Sequence, residues 1–356
     1  MRKMILSFGR YERDYDILFQ RPGPKQVSVF REDWFDETRQ RKVPVKIHLP
    51  VSGAGPFSAV FFSHGLGGSR EGYAYLGRHW ASHGILVVHV QHAGTDKRIF
   101  NGKLDVAIAM RDATKAAENL LNRPLDIRFC IDRALRMNGD PRSPLHGKIN
   151  PGRIASAGHS MGATTALACA GRRLPVRDGV PADLSDPRIQ ACLAMSPSSG
   201  DLESSRRDYA GFAVPCMHMT GTRDASPIGR TEIQNRRVPF DSIRRNDQFL
   251  VIFRDGDHMI FSDHRIRPNA RRERLSIHAW ISRFLSRREE APAAGARDPL
   301  YHRAIRMATT AFWDAFLKGN AESQQWLREG GLRATLEGMA SVEIQTDCVE
   351  ESRNER

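Results

Sequence analysis

Five residues, Gly158-His159-Ser160-Met161-Gly162, constrain this chain more than any others. They follow the apolar run Arg153-Ile154-Ala155-Ser156-Ala157 and precede Ala163-Thr164-Thr165-Ala166-Leu167-Ala168-Cys169-Ala170, a small, apolar stretch compatible with a helix. A strand therefore feeds a tight turn, and the turn opens a helix. Glycine two positions either side of the serine removes the side chains that would clash where such a turn crowds its own backbone. The helix N-terminus just beyond favours negative charge developing at the serine. A Gly-x-Ser-x-Gly elbow needs this strand, turn and helix context, so Ser160 reads as a nucleophile.

The rest of the chain repeats the alternation. Apolar, β-branched runs recur at 43–49, 59–63, 85–90, 153–158, 189–195, 214–219 and 249–253. Helix-period stretches at 71–82, 104–121, 124–137, 161–170 and 273–286 lie between or after them, with Pro124 placed as a helix start. Strand and helix in alternation predict an α/β fold with a mostly parallel central sheet flanked by helices. Segments 91–103, 171–188 and 198–211, rich in Gly, Pro, Asp or Arg, read as loops; the first and third should border a site at the carboxyl ends of the strands. The expected organisation is an N-terminal segment with an edge strand (1–40), a catalytic domain (41–288), an Ala/Pro/Gly linker and C-terminal helices packing on it (289–345), and a charged, disordered tail (346–356).

A serine hydroxyl attacks poorly unless a base takes its proton and a third group orients that base. Asp224, in Thr220-Gly221-Thr222-Arg223-Asp224 directly after the 214–219 strand, is placed to be the orienting carboxylate. His258, in Arg254-Asp255-Gly256-Asp257-His258 after the last parallel strand, is placed to be the base. Among other histidines, His218 falls within a strand, His278 within a helix and His264 farther past the strand end, while Asp255 and Asp257 read as turn caps. Hydrolysis also needs backbone donors for the oxyanion. Met161, next to the nucleophile, provides one amide; Leu66, in the loop Ser63-His64-Gly65-Leu66-Gly67-Gly68 after an apolar strand, provides the other. His64 reads as a residue holding that loop, and with His92, Arg98 and Phe100 it is a candidate to line the acyl pocket.

These residues resemble the α/β-hydrolase superfamily, and within it the branch of platelet-activating-factor acetylhydrolases and predicted dienelactone hydrolases. The resemblance rests on Ser63-His64-Gly65-Leu66-Gly67-Gly68, Leu76, Ala81-Ser82-His83-Gly84 and the elbow, and runs to Phe316-Leu317-Lys318-Gly319. It implies an α/β-hydrolase fold and ester hydrolysis. True dienelactone hydrolases carry a cysteine nucleophile where this chain has Ser160, so that label implies ancestry rather than substrate. Animal acetylhydrolases place the acid one strand earlier, where this chain reads Met195-Ser196-Pro197 with no carboxylate.

The expected activity is cleavage of small carboxylic esters with short to medium acyl groups through an acyl-enzyme, without cofactor or metal. An acyltransferase or amidase could use the same triad, and a non-catalytic scaffold binding polyanions is a further alternative. The formal charge of +13 invites that last reading, but the arginines are scattered and no nucleic-acid module accompanies them. The sequence does not specify an oligomeric state. Five cysteines without a C-x-x-C pair read as buried free thiols, and neither a transmembrane run nor a signal-peptide core is evident, so a cytoplasmic location is expected.

Overall fold

The computed structural model describes residues 18–53, 55–101, 106–175, 181–198, 202–225, 233–263 and 299–346. Among them, nine strands form one sheet: β1 (Val27–Asp36), β2 (Arg41–Pro50), β3 (Phe57–Ser63), β4 (Ile85–Val90), β5 (Ile149–His159), β6 (Ile189–Met195), β7 (Cys216–Arg223), β8 (Gln248–Asp257) and β9 (Ala340–Gln345). Their order is β1-β2-β4-β3-β5-β6-β7-β8-β9. The strands from β4 to β8 in that order are parallel, and antiparallel β1, β2 and β9 complete the two sides. After β4 the chain crosses back over β3 to lay down β5. The order therefore reverses between β3 and β5, where ligands of open parallel sheets bind. Ser63 and Gly158 pair across that junction.

Both faces of the parallel strands are covered, so their runs are continuously apolar. Val60, Phe62 and Val87 point into one core with Trp80, Ile305 and Phe312; Ala59, Phe61 and Val88 point into the other with Ile127, Ile131 and Leu167. The first core packs under α1 (Ala74–Ser82), the second under α3 (Ala117–Gly139) and α4 (Met161–Cys169); a separate helix, α2 (Val106–Lys115), precedes α3, and α5 (Leu202–Asp208) and α6 (Val238–Ser242) lie between later strands. The C-terminal α7 (Pro299–Phe316), α8 (Ala321–Arg328) and α9 (Gly331–Thr335) belong to the first core. Trp313 meets Trp80 edge-on with ring centroids 5.7 Å apart, and Trp80 Nε1 donates to Thr309 Oγ1 at 3.0 Å.

Three expectations need correction. Pro124 does not start a helix: α3 begins at Ala117 and carries the proline in its interior. An interior proline forfeits a backbone bond at about 3 kcal/mol or more. Here Arg123, Asp126, Ile127 and Cys130 are buried on either side of it, and packing rather than propensity holds the helix. Segment 198–211 is not all loop, since it contains α5, and the C-terminal region holds β9 besides its helices. The expected helix 273–286 and nearly all of the expected tail lie outside the described residues. The four described cysteines, Cys130, Cys169, Cys192 and Cys216, are free and buried. No helix among the described residues is long and apolar enough to cross a membrane.

Candidate active site

β5 ends at His159 and α4 begins at Met161, leaving Ser160 alone to make the turn, with φ 57 and ψ −121. A non-glycine residue there is strained by about 1–3 kcal/mol. The neighbouring glycines make the turn possible: a Cβ on Gly158 would lie 2.2 Å from Gly162 O, and one on Gly162 would lie 2.0 Å from Ser63 O. Serine is a common helix N-cap, yet Ser160 makes no side-chain capping bond. Its hydroxyl instead faces His258.

His258 opens the short 3-10 turn His258–Phe261 after β8, capped by Asp257, whose carboxylate accepts from Met259 N at 2.9 Å. The ring spans Ser160 and Asp224: Nε2 lies 3.0 Å from Ser160 Oγ and Nδ1 lies 2.8 Å from Asp224 Oδ1. A carboxylate can only accept, so Nδ1 carries the proton and Nε2 is left to accept from the serine. Asp224, directly after β7, is 0% exposed. Its Oδ2 accepts from Thr220 Oγ1 at 2.8 Å and from Ser196 Oγ. Burial works to raise its carboxyl, but His258, Arg236 and Ser196 outweigh burial and hold it well below the ordinary carboxylate range.

Two of these partners were not anticipated. Ser196, at the end of β6 where no carboxylate is found, also places its hydroxyl 2.8 Å from His258 Nδ1. Arg236, 0% exposed, lies 3.4 Å from Asp224 Oδ1 and donates to the carbonyls of Ser196 (2.9 Å), Pro197 (3.0 Å) and Asp224 (3.2 Å). Burial pulls its guanidinium down, and Asp224 opposes that. Nothing in the pair Arg236-Arg237 distinguishes the buried member. The hydroxyl of Ser196 was detectable only as the polar residue at a strand end already singled out.

On the other side of Ser160 runs the loop His64–Gly68. Gly65 O accepts from His64 Nδ1 at 2.6 Å and from Gly68 N at 3.0 Å. A trans peptide points its N–H opposite its C=O, so the Leu66 N–H faces away from those donors. Likewise Ser160 O accepts from Ala163 N at 2.9 Å inside α4, which turns the Met161 N–H out of the helix N-terminus. A Cβ on Gly65 would lie 3.4 Å from Ser160 Cβ, so the loop passes beside the nucleophile. Tyr73, at the start of α1, joins the two sides: its hydroxyl bonds His159 Nδ1 at 2.8 Å, and His159 Nε2 donates to His258 O at 3.0 Å.

The four acyl-pocket candidates are placed differently. His64 and His92 are 1% and 0% exposed and support the loop from behind. His92 N donates to His64 Nε2 at 3.1 Å, and the His92 ring lies 3.0 Å from both Ser63 Oγ and Asp126 Oδ2. Neither ring offers a surface to a ligand here. Arg98 and Phe100 sit in the 3-10 turn Lys97–Phe100, stitched to the loop by Lys97 N donating to Gly68 O at 2.9 Å; the Arg98 guanidinium is engaged by Asp96 at 2.8 Å. Among the described residues no cluster of His, Cys, Asp and Glu could hold a metal ion.

A nine-stranded, mostly parallel sheet with flanking helices and a serine on a strained turn after the fifth strand places the protein in the α/β-hydrolase class. The chain belongs to the PET hydrolase-like family, whose family model matches residues 44–291, and it is thus a member of a family of ester hydrolases. It is also similar to the platelet-activating factor acetylhydrolase of Cavia porcellus, 27% identical over 152 residues that cover 35% of this chain and 34% of that one. The match spans about a third of that relative's length.

Proposed function

We propose that this protein cleaves carboxylic esters by acyl transfer through Ser160, with His258 as general base and acid and Asp224 as the group that orients it. The observation that carries the reading is the hydrogen-bonded chain from Ser160 Oγ through the imidazole to Asp224, 3.0 and 2.8 Å long, with the carboxylate buried and ionised. In the first half-reaction Ser160 Oγ attacks the ester carbonyl as its proton passes to His258 Nε2. The carbonyl oxygen becomes an oxyanion held by the N–H groups of Leu66 and Met161. Its collapse expels the alcohol, which takes the proton from His258. Water then repeats the sequence against the acyl-enzyme, releasing the acid and restoring Ser160. Asp224 keeps Nδ1 protonated and stabilises the imidazolium, so each proton moves only on the Nε2 side.

Short to medium acyl groups are the proposed substrates, because no long apolar lid insertion interrupts the sequence. The test is labelling of the full chain with a fluorophosphonate, mapped by peptide mass, together with turnover of short-chain nitrophenyl esters. Label is expected on Ser160, and Ser160→Ala is expected to lose about 10⁴-fold or more in turnover. Full turnover by the purified alanine variant would overturn the reading.

A further inference from the structure

A guanidinium as deeply buried as Arg123, 1% exposed, ordinarily meets a carboxylate. Arg123 instead directs its nitrogens at three neutral oxygens. Nε donates to Thr165 Oγ1 at 2.9 Å, Nη1 donates to Thr95 Oγ1 at 2.7 Å, and Nη2 donates to the His64 carbonyl. Burial pulls the guanidinium down to about 9, with Asp126 opposing. So costly a placement calls for a reason, and the onward bonds supply one.

Each hydroxyl that accepts from Arg123 donates further. Thr165 Oγ1 donates to the Met161 carbonyl at 3.0 Å, and Thr95 Oγ1 donates to the His92 carbonyl at 3.2 Å. Gly67 N returns a bond to Thr95 O at 2.8 Å. One planar cation thus joins the His64–Gly68 loop to the first turn of α4. These are the two segments that carry the Leu66 and Met161 amides. A lysine at this site could not hold all three oxygens at once in fixed directions, because its donors diverge from a single nitrogen.

We propose that Arg123 is a positioning residue for acyl transfer at Ser160. Its guanidinium sets the spacing and tilt of the Leu66 and Met161 N–H groups by gripping the His64 carbonyl directly and the Met161 carbonyl through Thr165. The inference rests on the serine-hydrolase reading above. Arg123 touches no reacting atom, so its removal displaces the donors rather than deleting them. Misplacement by about 1 Å costs about 10²-fold, whereas outright loss of a donor costs about 10²–10³-fold.

The experiment compares Arg123→Lys, Thr165→Val and Thr165→Ser in the full chain. It measures kcat and KM on a short-chain nitrophenyl ester, the rate of Ser160 phosphonylation by a fluorophosphonate, and thermal melting by circular dichroism. In the phosphonylation, Ser160 Oγ bonds to phosphorus as its proton passes to His258 Nε2, fluoride departs, and the phosphoryl oxygen uses the same two donors. Arg123→Lys and Thr165→Val are expected to lower kcat about 10- to 100-fold with KM changed less than about threefold. Phosphonylation should slow by the same factor, and Thr165→Ser should regain most of the loss. Thr165→Val, close to threonine in shape, keeps the test decisive if Arg123→Lys does not fold. A folded Arg123→Lys or Thr165→Val with kcat within twofold of wild type, or with only KM raised, overturns the inference. Failure of the wild-type chain to take label on Ser160 would instead overturn the serine-hydrolase reading itself.

Discussion

Lowering the pH from 7.5 to 5 should remove a large part of this protein's stability, and its buried histidines set the expected size of the effect. His48 and His79 are pulled down to about 3, and His92 and His218 to about 4, from an ordinary value of 6.5, with burial the largest cause in each case. Neither ring nitrogen of His48 or of His89 has a hydrogen-bond partner among the described residues, so neither ring can readily accommodate a proton. A group whose folded value is depressed contributes stability that is complete above 6.5 and is lost as pH falls toward the folded value. For one histidine titrating at 6.5 unfolded and near 4 or below folded, the loss is a little under about 1 kcal/mol at pH 6 and about 2 kcal/mol at pH 5. Four such groups withdraw about 3 kcal/mol at pH 6 and about 8 kcal/mol at pH 5, against total stabilities of about 5–15 kcal/mol. His64, His89 and His159 are depressed in the same direction and steepen the fall, while Asp208 and Asp263, raised by burial, offset part of it. The assay is urea unfolding followed by tryptophan fluorescence at half-unit pH intervals. His218→Leu, whatever its absolute stability, should reduce the drop between pH 7.5 and 5 by about 2 kcal/mol. Unfolding free energies at pH 7.5 and 5.5 that agree within about 1 kcal/mol would refute the reasoning, since four neutral buried imidazoles demand several times that difference.

Three further outcomes are expected. Asp224→Asn should lower kcat about 10⁴-fold with the fold intact, because an amide can hold the wrong imidazole tautomer; steady-state kinetics beside a circular dichroism spectrum checks it. Arg236→Met should cost about 3–5 kcal/mol in denaturant unfolding, since it removes the cation beside a buried carboxylate and takes a donor from the carbonyls of Ser196 and Pro197, and should depress kcat as well. Gly162→Ala should prevent recovery of soluble, labelled enzyme, because its Cβ would fall 2.0 Å from Ser63 O, a backbone atom with no room to yield; an expression and labelling assay reads the result.

The parts of this protein legible in its sequence are those where local pattern and local chemistry coincide. Strands β3 to β8 are apolar because helices cover both faces, and the elbow is visible because its glycines answer to contacts within a few residues. Ser160, Asp224 and His258 could be named because each follows a strand directly, so chain order alone carries them to one edge of the sheet. His92 illustrates the limit. Its position in a loop after β4 is equally compatible with facing a substrate or facing inward, and the choice is made by Asp126 and Ser63, 34 and 29 residues away along the chain. Pro124 lies inside a helix that propensity alone would start there, because propensity cannot weigh the burial of Arg123 and Asp126 beside it. Nothing in the sequence sets Arg123 or Arg236 apart from the other scattered arginines, since residue type predicts exposure and only the folded chain reveals what oxygens await a buried cation.

What awaits them has a common origin in the sheet. A parallel strand ends with carbonyls that no neighbouring strand completes, and around a reactive centre shielded from water those carbonyls would be left unpaired. His64 follows β3, and Ser196 and Pro197 follow β6, on either side of the elbow that ends β5. Arg123 takes the first carbonyl and Arg236 takes the other two. A hydroxyl or amide could satisfy such oxygens one at a time, but a guanidinium reaches several from a single rigid plane. At Arg236 the charge does a second job, because it lies against Asp224 and favours the ionised carboxylate that His258 needs. At Arg123 no carboxylate among the described residues is in contact, so the benefit is geometric. The two arginines therefore brace the elbow from opposite sides by different physics, and their replacements should separate accordingly: loss of Arg236 should damage stability and catalysis together, whereas Arg123→Lys should act chiefly on kcat.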